Sequence, residues 1–564
     1  MSSESEDLYK ELIHQDSALT QRREPWIPLW RTLADFFLPT RQYYGPDHAG
    51  GSKEPKTLYN SRGLRSLEKS QAMFQAYTAN MKDTWFKLVF TDTNLIKYPG
   101  VADWLEDVEN IVYRVLMRSG FYNAQGDYSP DLHALGTAIM YMEEGKKPGT
   151  VVYQVRHPRA VTIAENDEGL VDTIFDDAFM TAKAAKQRFG EHLTERLKKA
   201  EATNPFLDVT IKHSVFPMDE RFLKYAIKDF DPDMPYVSVW WDKYDRERNN
   251  GIMDVRGYWE FPFIAGRRAQ SSGEEYGRSE AMNALWDVKV GNSLGKSTLL
   301  LAQKIADPTF IVHEDLEGND NDLNAAGGRV YVTDGDQPVA PVPLGANYPI
   351  TLDYAKHIDE IIDDHLHLPF YAMLQTIEPG KMTATETMER MGEQAAGLGY
   401  LTGRHHTEFL QPVLKNTVNI LLRTGQLPTP PQIVQDAIKA GIGLDITFLG
   451  KLSQIQSRFF KTDGINASMG FIAGAVQMFG PEALDNIEQD EYMREGLASL
   501  GTPQKFIREL PDVEERRRQR AEAIAAQQAK AEQMQTQQAI MQNANKLGQK
   551  PQAGSPLAEM EGAV

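Results

Sequence analysis

The stretch 379–425 is the longest continuous helical pattern in the chain, and the rest can be arranged around it. It opens on a turn at Pro379 and Gly380. Thr383, Ala384, Thr385 and Glu386 follow, a spacing in which threonine and glutamate satisfy each other's orphan amides at a helix start. Apolar residues then recur at helical spacing through Met388, Met391, Ala395, Leu398, Phe409, Leu410, Val413, Leu414, Ile420 and Leu421, and Gly425 supplies the stop. A continuous helix of this length would run for about 60 Å.

Two features are wrong for an ordinary core helix. Gly392, Gly397, Gly399 and Gly403 each cost up to about 1 kcal/mol relative to alanine, and Pro412 removes a backbone hydrogen bond. The helix is therefore expected to bend. The glycines fit either close packing against a helix of the same subunit or a crossing at a subunit interface. Just upstream, Leu368, Phe370, Tyr371, Met373 and Leu374 are too apolar for an exposed loop, while Pro369, Pro379 and Gly380 argue against helix or central strand. The segment 367–382 is thus expected to be an apolar loop with Lys381 at its edge.

At 564 residues the chain exceeds what one hydrophobic core supports, and a hydrophobic fraction of 41% with 10% aromatics makes it globular. No apolar run is long enough for a membrane span, and no charged segment followed by an apolar one marks a signal peptide. Cysteine is absent, which removes disulfides, thiolate metal sites and cysteine nucleophiles together. A formal charge of −19 argues against a surface that grips phosphate backbones, yet permits an acidic channel that encloses a polyanion without holding it.

Taken in order, 6–23 and 26–38 read as helices, the second with a core stripe of Trp26, Ile27, Leu29, Trp30, Leu33, Phe36 and Phe37. A third helix through Leu64, Leu67, Met73 and Tyr77 precedes a buried strand at 85–90. The β-branched runs 151–164 and 170–175, joined by Asn166, Asp167, Glu168 and Gly169, predict a hairpin. Thr181 caps a helix that breaks at Gly190. Short strands follow at 209–215, 236–241 and 253–264, then a long helix over 279–306. A loop system over 319–348 carries a short strand at 329–332 and leads to a helix over 352–365. Beyond the long helix, 444–449 reads as a strand before three helices, and from 511 the composition turns to Glu, Arg, Gln and Ala, a solvated helix with a disordered end over 548–564.

Catalytic patterns are weak. Gly291, Gly295, Lys296 and Ser297 invite a phosphate-loop reading, but three residues separate the glycines where four are needed, and the stretch lies inside a helical pattern. His357, Asp359, Asp363, Asp364, His365 and His367 cluster in sequence, but His357 and His365 are offset from the face shared by Asp359 and Asp363. They read as a solvated helix face, as do His405 and His406. Arg267 and Arg268 read as a solvated turn, the commoner reading of an isolated charge pair. Arginines at 516–520 form the other basic run. No catalytic, cofactor or metal site is expected.

Several blocks in a fixed order resemble the bacteriophage portal, or head-to-tail connector, proteins of short-tailed phages. They are 58–64 through Trp85 and Phe86, 121–124 leading into 131–140, and above all Tyr276, Gly277, Arg278 and Ser279 with 302–308. Glu280 stands where proline is more usual. The helix, apolar loop and long kinked helix of 352–425 resemble the tunnel region of that family. The resemblance implies an α+β, multi-domain, ring-forming fold: an N-terminal wing with a β-hairpin (1–180), a first stem helix (181–204), a small β-rich clip (205–278), a second stem helix (279–307), a wing continuation (308–366), a tunnel loop (367–382), a long kinked helix (383–425), a helical crown (426–510) and a C-terminal polar helix or barrel (511–564). It further implies a ring of twelve at one capsid vertex of the virion, assembled in the host cytoplasm. The channel would pass double-stranded DNA, with Leu368, Phe370, Tyr371, Met373, Leu374 and Lys381 at its constriction and Arg267 and Arg268 on the clip. Implied partners are the terminase large subunit, major capsid and scaffolding proteins, and tail adaptor or nozzle proteins. The rival readings are a packaging NTPase using 291–298 and another virion protein such as a tail adaptor.

Overall fold

A computed structural model of the chain describes residues 3–41, 58–218, 233–245, 251–308, 310–313, 329–332, 339–341, 348–375, 399–457, 463–499, 508 and 510–547. Two compact units emerge, Met1–Gly464 and Ile465–Val564.

Thirteen strands among the described residues form four sheets. β4 (Val161–Glu165), β5 (Val171–Thr181), β6 (Asp208–Pro217), β7 (Tyr236–Trp241) and β8 (Ile252–Tyr258) make an antiparallel meander in that order. The period-two alternation of β7 covers both faces. Val237, Val239 and Trp241 pack with Leu8 and Leu12 of the helix Ser3–Arg23. Trp240 instead joins Phe189, Leu193 and Leu197 from the helices Ala182–Phe189 and Glu195–Thr203 and the turn between them. β2 (Thr137–Glu144) lies between β3 (Val151–Arg156) and β9 (Phe263–Arg267). β1 (Phe86–Phe90) pairs with β13 (Leu444–Phe448), and β10 (Phe310–His313) with β11 (Arg329–Val332) and β12 (Val339–Pro341).

The turn at 166–169, the break at Gly190, whose φ is 58°, and the strand at 329–332 fall where the sequence puts them, but the expected hairpin run 151–164 splits: only Val161–Glu165 pairs with β5, while Val151–Arg156 pairs with β2 in another sheet. The domain borders differ. The expected first stem helix is two short helices lying flat on the five-stranded sheet, because Phe189 and Leu197 bury against it. The expected clip does not stand apart either. β6, β7 and β8 extend the sheet begun by β4 and β5, and β9 leaves them for β2. Similarly, the segment after 425 returns to the main core: Val434 and Ala437 bury there and β13 pairs with β1.

The expected tunnel loop is helical over Leu368–Gln375. Pro369 does not prevent this, since a first-turn residue has no intrahelical partner for its missing N–H. The capping box at 383–386 and the residues up to 398 lie outside the described residues. From there the chain is helical over Gly399–His405 and Gln411–Arg423, joined by a π-helical turn at His406–Leu410. Here the expected irregularity has a specific form. Pro412 would press on the Glu408 carbonyl in an α-helix, and the widened turn, with Gln411 N–H reaching back to the His406 carbonyl, relieves it. Gly425, at φ 66°, closes the helix with the paired Gln426-to-Leu421 and Gly425-to-Leu422 bonds of a Schellman cap.

The described residues of the unit Ile465–Val564 are largely helical, and its last helix, Leu510–Leu547, is exposed along nearly all its described side chains, as its polar composition requires.

Candidate functional site

The two arginines expected on an outer turn are buried. Arg267 is 3% exposed and Arg268 2%, because β9 pairs along β2 with Arg267 opposite Thr137, and Arg268 N–H continues the contact to the Gly136 carbonyl at 2.8 Å. This corrects their assignment as clip contacts: a guanidinium at that depth needs anionic partners from its own chain, and both find them.

Arg267 lies in a closed cycle. It pairs with Glu165 and, through Nη2, with Glu408 Oε1 at 2.9 Å; Arg404 Nη1 reaches the same oxygen at 2.6 Å and Gln270 Oε1 at 3.1 Å; Gln270 Nε2 returns to Glu165 at 2.8 Å. Glu408 also accepts the Arg267 backbone N–H at 2.8 Å. Its carboxylate comes from the π-helical turn, so the irregularity forced by Pro412 is what faces it toward β9. Burial works against the Arg267 cation, but the bonds to Glu408 and Glu165 outweigh it and raise its pKa. Two arginines and two glutamates cancel, leaving no free acid or base in the cycle.

Arg268 sits on the other side of the strand end. Its Nε donates to Glu280 Oε1 at 2.8 Å and its guanidinium lies 4.3 Å from the Phe74 ring. The rings of His133 and His405 flank Phe74 at 5.2 and 5.0 Å, and His367 Nε2 stands 3.9 Å from Glu280. Burial, reinforced by the Arg268 cation, pushes His133 down to about 3 and His405 well below the usual imidazole range. Burial alone would raise Glu280, but Arg268 and His133 hold it below the ordinary carboxylate value. His405 is thus a core residue and His406 half-buried, not the solvated face expected of them. His406 stacks on Phe448 at 4.0 Å, and burial lowers it to about 4.

The block 276–280 explains itself here. Tyr276 is buried, and its hydroxyl accepts the Ile163 N–H at 3.4 Å. A side chain on Gly277 would meet the Gly136 carbonyl at 2.2 Å, and one on Gly136, at φ 78°, the Gly277 carbonyl at 2.3 Å. Ser279 donates to the Ala134 carbonyl at 2.8 Å and caps the helix Glu280–Ala306 through Met282 N–H at 3.3 Å. Glu280, where proline was expected, occupies the first helical position and supplies the counter-charge for Arg268. Five consecutive residues therefore fasten the helix 121–135, the start of β2 and a 27-residue helix to one another.

Of the residues expected at a constriction, Phe370 is 8% and Tyr371 1% exposed, packed with Phe74, Leu401 and Leu452; Tyr371 stacks on Tyr77 at 6.3 Å. The subunit itself covers these two rings, so they do not project from it. Leu368 is half-buried and Lys381 lies outside the described residues. The stretch 291–298 is inside the helix Glu280–Ala306, where a side chain on Gly291 would touch Asn60 and Ile358 and one on Gly295 the Tyr59 carbonyl. These glycines admit neighbouring chain and cradle no phosphate. Asp363 takes Arg62 and, at 2.6 Å, Ser66, while His365 stands 3.3 Å from Asp287. Among the described residues no three His, Asp or Glu are grouped to hold a metal. Sequence reading gave no signal for Glu408 or Glu165 as partners of Arg267, since they lie 141 and 102 residues away.

The comparisons with known proteins bear on what such a frame serves. A portal protein of Salmonella phage epsilon15 is 26% identical over 544 residues, 92% of this chain and 94% of its own length. A probable portal protein of Bordetella phage BPP-1 is 26% identical over 533 residues, 92% of each. A chain from the virion of a native gene transfer agent particle aligns with 73% of this chain and 93% of its own at 9% identity, with a TM-score of 0.26 that is too low to show a common fold. The model of the bacteriophage head to tail connecting proteins matches residues 9–507, nearly the whole chain, and the chain belongs to that family.

Proposed function

We propose that the chain is the subunit of a closed ring of twelve at one capsid vertex, whose central channel passes double-stranded DNA during packaging and ejection. The observation that carries this reading is the family match over residues 9–507, joined by two portal proteins aligned over 92% of the chain. The family is structural and not enzymatic, and its members are virion components that connect head and tail. On this reading the ring docks the terminase large subunit while DNA enters and tail adaptor or nozzle proteins afterwards, and it is built into the shell with major capsid and scaffolding proteins. Heterologous contacts that close into a ring fit a subunit with uncovered apolar positions such as Trp286, 74% exposed on the helix Glu280–Ala306. The constriction is assigned to Leu368, Met373, Leu374 and Lys381, without Phe370 and Tyr371, whose burial supports a role in the subunit's own core.

Mass photometry and negative-stain microscopy of the purified chain test this. The expected result is a hollow particle of twelve times the chain mass. A monomer at micromolar concentration across salt conditions refutes the reading. Purified rings should hydrolyse no ATP; intrinsic turnover abolished by Lys296→Ala would favour the NTPase instead.

A further inference from the structure

Around the Phe74 ring the fold seals polar side chains from solvent without pairing them off. Arg268, His133 and His405 all lie against that ring, and Tyr371 shares its cluster. These four are each more than nine-tenths buried, and the Glu280 side chain is nearly so. Arg268 uses Nε on Glu280 Oε1. Among the described residues, however, its Nη1 has no hydrogen-bond partner, and neither have Glu280 Oε2, His133 Nε2, His367 Nε2, the two ring nitrogens of His405 or the Tyr371 hydroxyl. An isolated atom of this kind is ordinary in a folded protein. Several around one guanidinium are not, since each left bare costs about 1–3 kcal/mol.

The chemistry of the bare atoms selects what pairs with them. His133 Nδ1 stands 2.8 Å from the Ser129 carbonyl, which only accepts, so Nδ1 carries the proton and Nε2 presents a lone pair. Glu280 Oε2 also accepts, whereas Arg268 Nη1 only donates. An anion here meets the Glu280 carboxylate and the bare imidazole nitrogen, and a cation meets the guanidinium, so a set holding one full charge of each sign suits neither. A small neutral molecule that both donates and accepts suits every member. His367 Nε2, 3.9 Å from Glu280 Oε1, is too far for a direct bond and needs the same kind of partner. A cleft of about 330 Å³, lined in part by Glu280 and His367, opens at this end and gives such a molecule its way in.

We propose that Arg268, Glu280, His133, His405 and Tyr371 form a buried binding site for structural water, in which ordered molecules bridge the guanidinium to the second carboxylate oxygen, the bare imidazole nitrogens and the tyrosine hydroxyl. Each such bridge is nearly as favourable in enthalpy as a direct hydrogen bond. The water completes the pairing of a charge pair that its own chain satisfies only in part, and ions of either sign stay out. The site belongs to one subunit and does not depend on ring formation.

Crystallography of the full-length protein, at a resolution that shows ordered solvent and in parallel from chloride and bromide buffers, tests it. Water density is expected within about 2.7–3.2 Å of Arg268 Nη1, Glu280 Oε2 and His133 Nε2, with no anomalous bromide signal among the peaks. Joint replacement of Arg268 and Glu280 by methionine removes both charged partners and should abolish the peaks beside them. If that variant fails to fold, the two parent maps still decide. Parent side chains that bond directly to one another with no density between them, a site filled by bromide or by a metal ion, or peaks that persist unchanged in the double variant overturn the proposal.

Discussion

Removing the Glu408 carboxylate is the most direct test of why the long helix is irregular. The group accepts four donors: Arg267 N–H at 2.8 Å, Nε at 3.2 Å and Nη2 at 2.9 Å, and Arg404 Nη1 at 2.6 Å. Its side chain is 11% exposed and that of Arg267 2%, so solvent replaces few of these bonds. Breaking a buried ion pair by deleting one partner costs about 3–5 kcal/mol. Arg267 retains Glu165 and the Gly169 carbonyl at 3.0 Å, which places Glu408→Ala toward the lower end, about 3 kcal/mol. A chain of this size does not unfold in one step, so the loss is read locally, by native-state hydrogen exchange along the β2–β9 ladder. There about 3 kcal/mol corresponds to roughly 100-fold faster exchange. The exposed pair Arg518–Glu522, 83% and 67% exposed, serves as control; Glu522→Ala should cost under about 0.5 kcal/mol. Exchange of the ladder in Glu408→Ala within about threefold of the parent would refute the argument that this carboxylate anchors helix to sheet.

Asp131 is buried and its carboxyl is pushed up to about 7 by burial, against an unfolded value of 3.8; the native state then binds the extra proton, so stability rises as pH falls from about 7 toward 4. Asp131→Asn should therefore raise the melting temperature at pH 8, by the equivalent of at most about 4 kcal/mol, and change little at pH 4. His406 has the opposite sign: burial holds it at about 4, below the unfolded 6.5, and its contribution is complete above 6.5 and lost as pH falls toward 4. His406→Phe, keeping the stack on Phe448, should be near neutral at pH 8 and stabilising by about 2 kcal/mol at pH 5 in melts of the two variants side by side. Gly277→Ala should destabilise by about 1–3 kcal/mol, since the added carbon meets the Gly136 carbonyl, whereas Gly126→Ala, with open space around it in a helix, should stabilise by about 0.5–1 kcal/mol; chemical denaturation distinguishes the signs. Truncation at Asp512 should leave the melting of the unit Met1–Gly464 unchanged, because the helix it removes is exposed along nearly all its described side chains.

What was legible in the sequence was local. The cap at Thr181, the turn at 166–169 and the stop at Gly425 are each decided within five residues, and each holds in the structure. The partners of those elements were not legible, because pairing is decided at long range. Phe86–Phe90 finds Leu444–Phe448, and the strands after 205 join those before 181; no spacing in the sequence records either choice. The same division separates the right and wrong expectations for single residues. Arg267 and Arg268 look like a solvated pair because adjacent charges in a turn usually are. Their counter-charges are Glu165, Glu280 and Glu408, spread over three elements, and only their convergence makes burial possible.

Proline was misjudged in a related way. At Pro369 and Pro412 it was read as a barrier or a kink, and the outcome depended on position within the turn. In the first turn it cost nothing, and mid-helix it forced a π-helical turn that turns Glu408 to face Arg267. Pro412 therefore acts as a positioning residue for a carboxylate four places earlier. Pro412→Ala should let the turn revert toward α-helical geometry, rotating Glu408 away from β9. Its effect on the β2–β9 ladder should then resemble that of Glu408→Ala, although alanine is the better helix former by about 3 kcal/mol. A variant with a more protected ladder would show that the π-helical turn is held by something other than the proline.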